Sequence, residues 1–315
     1  MLYILILFLF INHCTVFILC DKLVTGFGQF PYFAQIFIPV KLQTSSRRRG
    51  TQYTSCSATL IHPRWLLTAA HCFPNDTFEI QGVEKSTENE VFVGIHKKGG
   101  YEKNSIIKVY RHQDFQWIKQ GSTERIRRDV AVVKLRSQFK RSQTLQTITL
   151  PFTNTNMKNK VFKQCKNGIV IGTEKATTQY LNPNPQVAYL KTDVKKKEEL
   201  MESVVQTGTL FFSEIPISRK HNIKSIGGPF VCNISGQAVQ FGVLSRQVYR
   251  KKNIVFEYEE IEKYNDFIIR LVTPQRRLGR QSGRRGYIMV NKSNSKLAAV
   301  YVNLVLFTVG IIHYF

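Results

Sequence analysis

The sequence predicts an all-β fold with a C-terminal helix, from the spacing of its apolar residues and from its length. Short apolar or aromatic runs bounded by proline, glycine or polar residues recur along the chain, for example at residues 29–36, 90–95 and 187–194. Runs of this length and composition are typical of strands. Helical spacing of apolar residues is found near the end, at residues 256–272. With 315 residues, the chain is long enough for one large all-β domain or two small domains.

The composition is strongly basic. The chain has 45 Lys and Arg residues against 21 Asp and Glu residues, which gives a formal net charge of +24. Runs at residues 47–49, 125–128 and 195–197 contribute to this excess. The sum predicts affinity for polyanions such as sulfated polysaccharide, although each single run is typical of a solvated loop. Nucleic acid is not expected as a partner, because residues 1–20 are predicted to be an export signal.

That signal occupies residues 1–20, which are almost wholly apolar. The pattern predicts a secretory signal peptide, with a retained signal anchor as the alternative because no basic residue follows Met1. Residues 21–273 form the predicted folded domain, 274–296 a basic linker and 297–315 an apolar tail. The tail is either a membrane anchor or a lipid-anchor signal that is removed. We therefore expect a protein that is secreted or held on the extracellular face of the membrane.

Six cysteines are present, of which Cys14 and Cys20 lie in the predicted signal peptide. The remaining four form an even set in a chain bound for an oxidising compartment, which predicts disulfides. These four are Cys56, Cys72, Cys165 and Cys232. None of them has the Cys-x-x-Cys spacing of a zinc site, and we expect neither a metal nor a cofactor. Three Asn-x-Ser/Thr sequons predict glycosylation, at Asn75, Asn233 and Asn291.

The segment from Cys56 to Cys72 carries the most specific motif. It has the pattern of two short strands joined by a turn at Pro63, and it ends in Thr-Ala-Ala-His-Cys. A disulfide between its two cysteines would pin the backbone beside His71. The segment resembles, nearly residue for residue, the histidine motif of the trypsin-like serine proteases, which have the chymotrypsin fold. This resemblance implies that His71 holds the general-base position.

The resemblance covers residues 23 to about 272. It implies two antiparallel six-stranded β-barrels packed together, with a C-terminal helix. Asp129, at the head of an apolar segment, matches the family's aspartate, whose carboxylate accepts the second N–H of the histidine and fixes its tautomer. Cys165 stands where the family places the disulfide partner of Cys232.

Residues 224–232 read Lys-Ser-Ile-Gly-Gly-Pro-Phe-Val-Cys and resemble the family's nucleophile loop, Gly-Asp-Ser-Gly-Gly-Pro. Counting back six residues from Cys232, as the family's spacing requires, places Ile226 in the nucleophile position. An isoleucine has neither a proton to lose nor a lone pair with which to attack a carbonyl. Ser225 replaces the aspartate that pairs with the freed N-terminal amine, and Lys224 replaces a glycine whose N–H helps to stabilise the oxyanion. Three catalytic requirements fail together, which predicts a pseudoprotease.

We therefore expect a catalytically inactive homologue that acts as an extracellular or cell-surface binding or regulatory protein. The expected partner is a protein, such as an active protease or its substrate, and sulfated polysaccharide is a further candidate. The alternative is an active serine endopeptidase that uses Ser225 in a shifted register. That alternative breaks the six-residue spacing to Cys232 and treats Ile226 as an insertion in a tight turn.

Overall fold

The computed structural model describes most of the predicted folded domain. The described residues are 23–24, 28–40, 52–73, 92–97, 100–120, 123–151, 163, 165–174, 186–196, 200, 209–217 and 223–273. The predicted signal peptide 1–20, linker 274–296 and tail 297–315 lie outside these residues, as do Asn75 and Asn291. The chain divides into two units, Met1–Pro274 and Gln275–Phe315, and the second lies wholly outside the described residues. Within the described part, no helix is long and apolar enough to cross a membrane.

Strands dominate the described residues, and a single α-helix follows them. In chain order the elements are β1 (Leu23–Val24), β2 (Phe33–Val40), β3 (Gln52–His62), β4 (Trp65–Thr68), β5 (Phe92–Lys97), β6 (Gly100–Arg111), β7 (Gln116–Gln120), β8 (Thr123–Arg127), β9 (Ala131–Leu135), β10 (Asn167–Glu174), β11 (Val187–Lys195), β12 (Leu210–Pro216), β13 (Ile223–Lys224), β14 (Pro229–Ile234), β15 (Gln237–Tyr249), β16 (Asn253–Glu260) and α1 (Asn265–Val272).

Six strands of the N-terminal half close into a barrel in the order β2-β3-β4-β9-β6-β5. Neighbouring strands are antiparallel throughout. Branched aliphatic side chains fill the barrel, because β-branched and leucine side chains pack well on a pleated, buried surface. Fully buried examples are Leu60, Leu66, Leu67, Val132 and Val133.

The C-terminal half forms a second sheet in the order β1-β11-β12-β16-β15-β14-β10-β13. Because β10 also pairs with β11, six of these strands join into a second ring. Its core is aromatic: Phe211 and Tyr258 stack with ring centroids 4.9 Å apart, and Phe230 packs on both. The two barrels and the terminal helix confirm the predicted fold class.

One predicted element is wrong in its first half. Residues 256–260 belong to strand β16, and a 3-10 turn at Ile261–Tyr264 separates that strand from helix α1. Strand β16 lies between β12 and β15, and residues 254–259 are all buried. Residues 256–259 read Phe-Glu-Tyr-Glu, which alternates as a strand does, but this alternation is only four residues long and runs directly into the helical spacing that follows. Tertiary pairing decides the conformation here.

Candidate functional site

His71 lies at the end of the first barrel, in a 3-10 turn formed by Ala70–Cys72 directly after β4. The disulfide between Cys56 and Cys72, with Cα atoms 6.2 Å apart, ties this turn to β3. The His71 side chain is 17% exposed. The predicted pinning of the backbone beside His71 is thus present.

Asp129 lies just before β9 and is completely buried. Its carboxylate accepts three hydrogen bonds. His71 contributes two, from its backbone N–H to Oδ1 at 2.8 Å and from ring Nδ1 to Oδ2 at 2.6 Å. Ser245 on β15 contributes the third, from its hydroxyl to Oδ2 at 2.5 Å. A ring that donates from Nδ1 keeps Nε2 as its acceptor, which is the tautomer a general base needs.

A second buried carboxylate lies directly behind Asp129. Glu259 of β16 is fully buried, and its Oε1 accepts the backbone N–H of Asp129 at 2.9 Å. Its Oε2 accepts the hydroxyl of Tyr264 at 2.5 Å. Burial raises the pKa of Glu259, and the nearby charge of Asp129 raises it further. Ser245 and Glu259 both belong to the second barrel, so Asp129 is held from two sides across the barrel interface.

The backbone that leads into Asp129 is strained. Arg128 has φ of +54°, in the left-handed region that costs most residues about 1–2 kcal/mol. A tight turn accompanies it, in which the Val130 N–H donates to the Arg128 carbonyl at 2.9 Å. The neighbouring hydrogen bond from Asp129 N–H to Glu259 helps to hold this conformation.

The segment that resembles a nucleophile loop is a tight turn fixed by backbone hydrogen bonds. The Ile226 carbonyl accepts the Ser57 N–H at 2.7 Å, and the Gly228 N–H donates to the Ser225 carbonyl at 2.7 Å. Gly227 has φ of +78° and donates its N–H to Leu244 at 2.7 Å. A Cβ on Gly227 would lie 2.3 Å from the Thr68 hydroxyl oxygen, so only glycine fits there.

The two side chains that compete for the nucleophile role have different surroundings. Ser225 is completely buried, and its hydroxyl has no hydrogen-bond partner among the described residues. Next to it, a Cβ on Gly172 would lie 2.7 Å from the Cβ of Ser225, so the space around this serine is filled closely. Ile226 is partly buried and packs against the apolar clusters of both barrels.

A hairpin formed by β7 and β8 lies beside His71. The ring of Trp117 meets the ring of His71 edge-on, with centroids 5.8 Å apart and planes at 68°. Trp117 is half-buried, as is Ile126 opposite it in the register. The hairpin therefore covers part of the histidine.

Directly after Ser245, an ion pair joins strand β15 to strand β16. Arg246 donates from Nε and Nη2 to the two carboxylate oxygens of Glu257, at 2.8 Å and 2.9 Å. Glu257 lies opposite Arg246 on β16. Its neighbour Phe256 is fully buried. The carboxylate of Glu257 therefore holds the guanidinium of Arg246 bidentately, directly after Ser245.

The second predicted disulfide and one of the predicted glycosylation sites lie within the described residues. Cys165 and Cys232 form the second disulfide, with Cα atoms 5.8 Å apart, so both predicted disulfides are confirmed. Asn233 is exposed at the end of β14, and its Oδ1 accepts the Gly236 N–H at 2.8 Å. No cluster of three or more potential metal ligands occurs among the described residues.

Sequence reasoning missed three members of this site: Trp117, Ser245 and Glu259. The signal for the hairpin was limited to Gly121-Ser122, a two-residue loop composition, because the segments that flank it do not alternate. Ser245 and Glu259 lie 116 and 130 residues from Asp129, and only the folded chain brings them together.

Comparison with known proteins gives a consistent result. The family model for trypsin matches residues 34–268. Over 233 residues the chain is 24% identical to a urokinase-type plasminogen activator of Gallus gallus, which covers 70% of this chain and 51% of that protein. Over 113 residues it is 30% identical to a tryptase of Mus musculus, covering 35% of this chain and 36% of the tryptase. The chain thus spans about half the length of one relative and about a third of the other.

Proposed function

We propose that this chain, which belongs to the trypsin family, is a catalytically inactive homologue. It acts as an extracellular or cell-surface binding and regulatory protein. The observation that carries this proposal is the identity of the residue in the nucleophile position. Ile226 stands six residues before Cys232, and its carbonyl is bonded to the N–H of Ser57, so the turn is closed around an aliphatic side chain. Acyl transfer needs a hydroxyl or thiol at that point.

The environment of Ser225 argues against the alternative, an active serine endopeptidase with a shifted register. A nucleophile must lie within hydrogen-bond reach of its base and be open to the substrate. Ser225 is fully buried, and within the described chain its hydroxyl bonds to nothing, including His71. Bringing it to His71 would require the turn at Gly227 and Gly228 to break its bonds with Leu244 and Ser225.

The position of Trp117 also supports a binding role. Its indole packs against the ring of His71. In an active enzyme, the histidine at this position must be accessible to the substrate. The retained His71–Asp129 pair then acts as structure: it joins the turn after β4 to the strand β9 and, through Ser245, to the second barrel. We therefore assign the preserved dyad to fold maintenance.

The disulfides support the proposed location outside the cell, and the net charge supports one of the two proposed kinds of ligand. Two disulfides are typical of proteins that fold in oxidising compartments. The partner is a protein, in particular an active protease or a protease substrate. The net charge of +24 favours sulfated polysaccharide as a second candidate ligand. Retention on a heparin column that is lost at moderate salt would support this ligand, and elution in dilute buffer would count against it.

A peptidase assay tests the absence of activity. The purified full chain is incubated with a mixed library of fluorogenic peptides, beside a Ser225→Ala variant prepared in the same way. We expect no hydrolysis above buffer from either protein. Hydrolysis by the natural chain that disappears in Ser225→Ala would establish the alternative, whereas equal hydrolysis by both would identify a contaminating protease.

A further inference from the structure

The hairpin of β7 and β8 is a two-stranded sheet of its own, separate from both barrels. Its register pairs Gln116 with Arg127, Trp117 with Ile126, and Ile118 with Arg125. Directly opposed residues of an antiparallel pair share a face, and successive residues alternate between faces. The hairpin therefore has one face with Trp117 and Ile126 and another with the other four side chains.

The first face explains why the hairpin is stable. An isolated two-stranded sheet is marginal in water and needs a surface to pack on. Trp117 and Ile126 are both half-buried, and Trp117 contacts the ring of His71. This contact fixes the orientation of the hairpin, so the second face is directed away from His71.

That second face combines cationic and apolar groups. Gln116, Ile118, Arg125 and Arg127 are all exposed, and Ile118 is 43% exposed despite its size. Arg125 and Arg127 are two residues apart on one strand, which separates their Cα atoms by about 6.8 Å. Among the residues that the structure describes, neither guanidinium has an ion pair or hydrogen bond. We name these four residues the outer hairpin face.

We propose that the outer hairpin face binds an extended acidic polypeptide segment that also carries an apolar side chain. Guanidinium forks match carboxylates bidentately. An extended peptide with carboxylates at positions i and i+2 repeats the spacing of Arg125 and Arg127. Ile118, opposite Arg125, offers contact area to an alkyl group, which a sulfated polysaccharide lacks. This proposal deepens the binding role proposed above and rests on it.

Fluorescence anisotropy on the full chain tests the proposal. The probe is a fluorescein-labelled peptide, Ser-Glu-Ser-Glu-Ser-Leu-Ser, whose two glutamates and leucine share one face when it is extended, and a second peptide carries serine in place of leucine. We expect Arg125→Ser/Arg127→Ser to weaken binding of the leucine peptide by about tenfold. The control pair Lys251→Ser/Lys252→Ser removes the same charge at the exposed turn between β15 and β16, and we expect less than about a twofold change.

A second variant separates shape from charge. Ile118→Ser should weaken the leucine peptide several-fold and leave the serine peptide unchanged. Because Trp117 is one of two tryptophans, an unchanged emission spectrum shows that the hairpin keeps its inner contact in every variant. Equal losses from both charge-removing pairs would overturn the proposal, because binding would then follow net charge alone.

A heparin octasaccharide provides the competing ligand. If it displaces the leucine peptide and binds more tightly through the same arginines, the face recognises polyanions and the peptide proposal is wrong. If it competes only weakly, the proposal stands. Peptide binding reports on the hairpin and peptide hydrolysis reports on the nucleophile position, so failure of this proposal is distinguishable from failure of the proposed function.

Discussion

At the scale of single residues, we expect the buried carboxylate of Asp129 to contribute strongly to the stability of the fold. It accepts two hydrogen bonds from His71 and one from Ser245 in a site with no solvent exposure. If these bonds serve the fold, removing the acceptor must destabilise it, because the two donors of His71 and the buried hydroxyl of Ser245 lose their partner. A structural role of these bonds would explain why the pair His71–Asp129 is kept in a chain that we propose to be inactive.

We expect Asp129→Ala to lower the free energy of unfolding by about 3 kcal/mol, measured by urea denaturation. Asp114→Ala is the matched control, because Asp114 is an exposed carboxylate beside His112, at 3.9 Å. Its loss should cost less than about 0.5 kcal/mol. Equal effects from the two variants would contradict a structural role for the dyad.

Glu259 leads to a pH-dependent prediction. Burial raises its pKa above the ordinary value of 4.5, so the folded chain holds this proton to higher pH than the unfolded chain. The stability from this group is complete below about pH 4.5 and is lost as the pH rises through the folded pKa. Glu259→Gln keeps an acceptor for the Asp129 N–H and removes the titration.

We therefore expect the stability of Glu259→Gln relative to the natural chain to increase between pH 4.5 and pH 7, measured by thermal or urea unfolding. Asp266→Asn, an exposed carboxyl in helix α1, controls for the change in net charge. A relative stability that stays constant with pH, or falls, would show that the folded pKa of Glu259 is not raised.

The sequence predicts the pairing of His71 with Asp129, because each lies in a contiguous motif whose neighbours specify its surroundings. It does not predict Ser245 or Glu259 as partners of Asp129. A serine or glutamate within a strand has no local pattern that reveals which distant carboxylate or amide it will meet. Only the register between β15 and β16 brings these side chains to the barrel interface.

At the scale of elements, the two disulfides close loops of different length. Cys56–Cys72 spans 16 residues and Cys165–Cys232 spans 67. In the chain-entropy model, a longer loop restricts the unfolded chain more. Replacing both cysteines of the shorter loop by serine should cost about 3 kcal/mol, and of the longer loop about 4 kcal/mol. Urea unfolding of the two double variants measures this order, and a larger loss from the shorter loop would contradict it.

Element boundaries show where sequence patterns are sufficient. The strands β3 and β4 are predicted because Pro63 marks their turn and apolar residues flank it. The hairpin β7–β8 is missed because its strands are rich in polar and basic residues. The end of strand β16 is taken for helix because its short Phe-Glu-Tyr-Glu alternation runs directly into the helical spacing of the residues that follow.

At the scale of the whole molecule, the described residues form the two barrels and the C-terminal helix of a trypsin-family protein, and we propose that the attacking group of the family is replaced in this chain. The contacts that cross between the barrels, from Ser57 to Ile226 and from Ser245 and Glu259 to Asp129, fix the relative position of the barrels. The family and fold are predictable because cysteine, histidine and aspartate motifs are spread along the chain. The partner is not, because binding depends on exposed loops whose arrangement follows from the tertiary fold.

The proposed inactivity requires that no residue of this chain acts as a serine nucleophile. Intact-mass spectrometry after incubation with a fluorophosphonate measures this directly on the folded full chain, with an active trypsin labelled in parallel. We predict that the mass of the chain is unchanged while the trypsin is fully labelled. A stoichiometric adduct that maps to Ser225 would show that this serine is a nucleophile and would contradict the proposed inactivity.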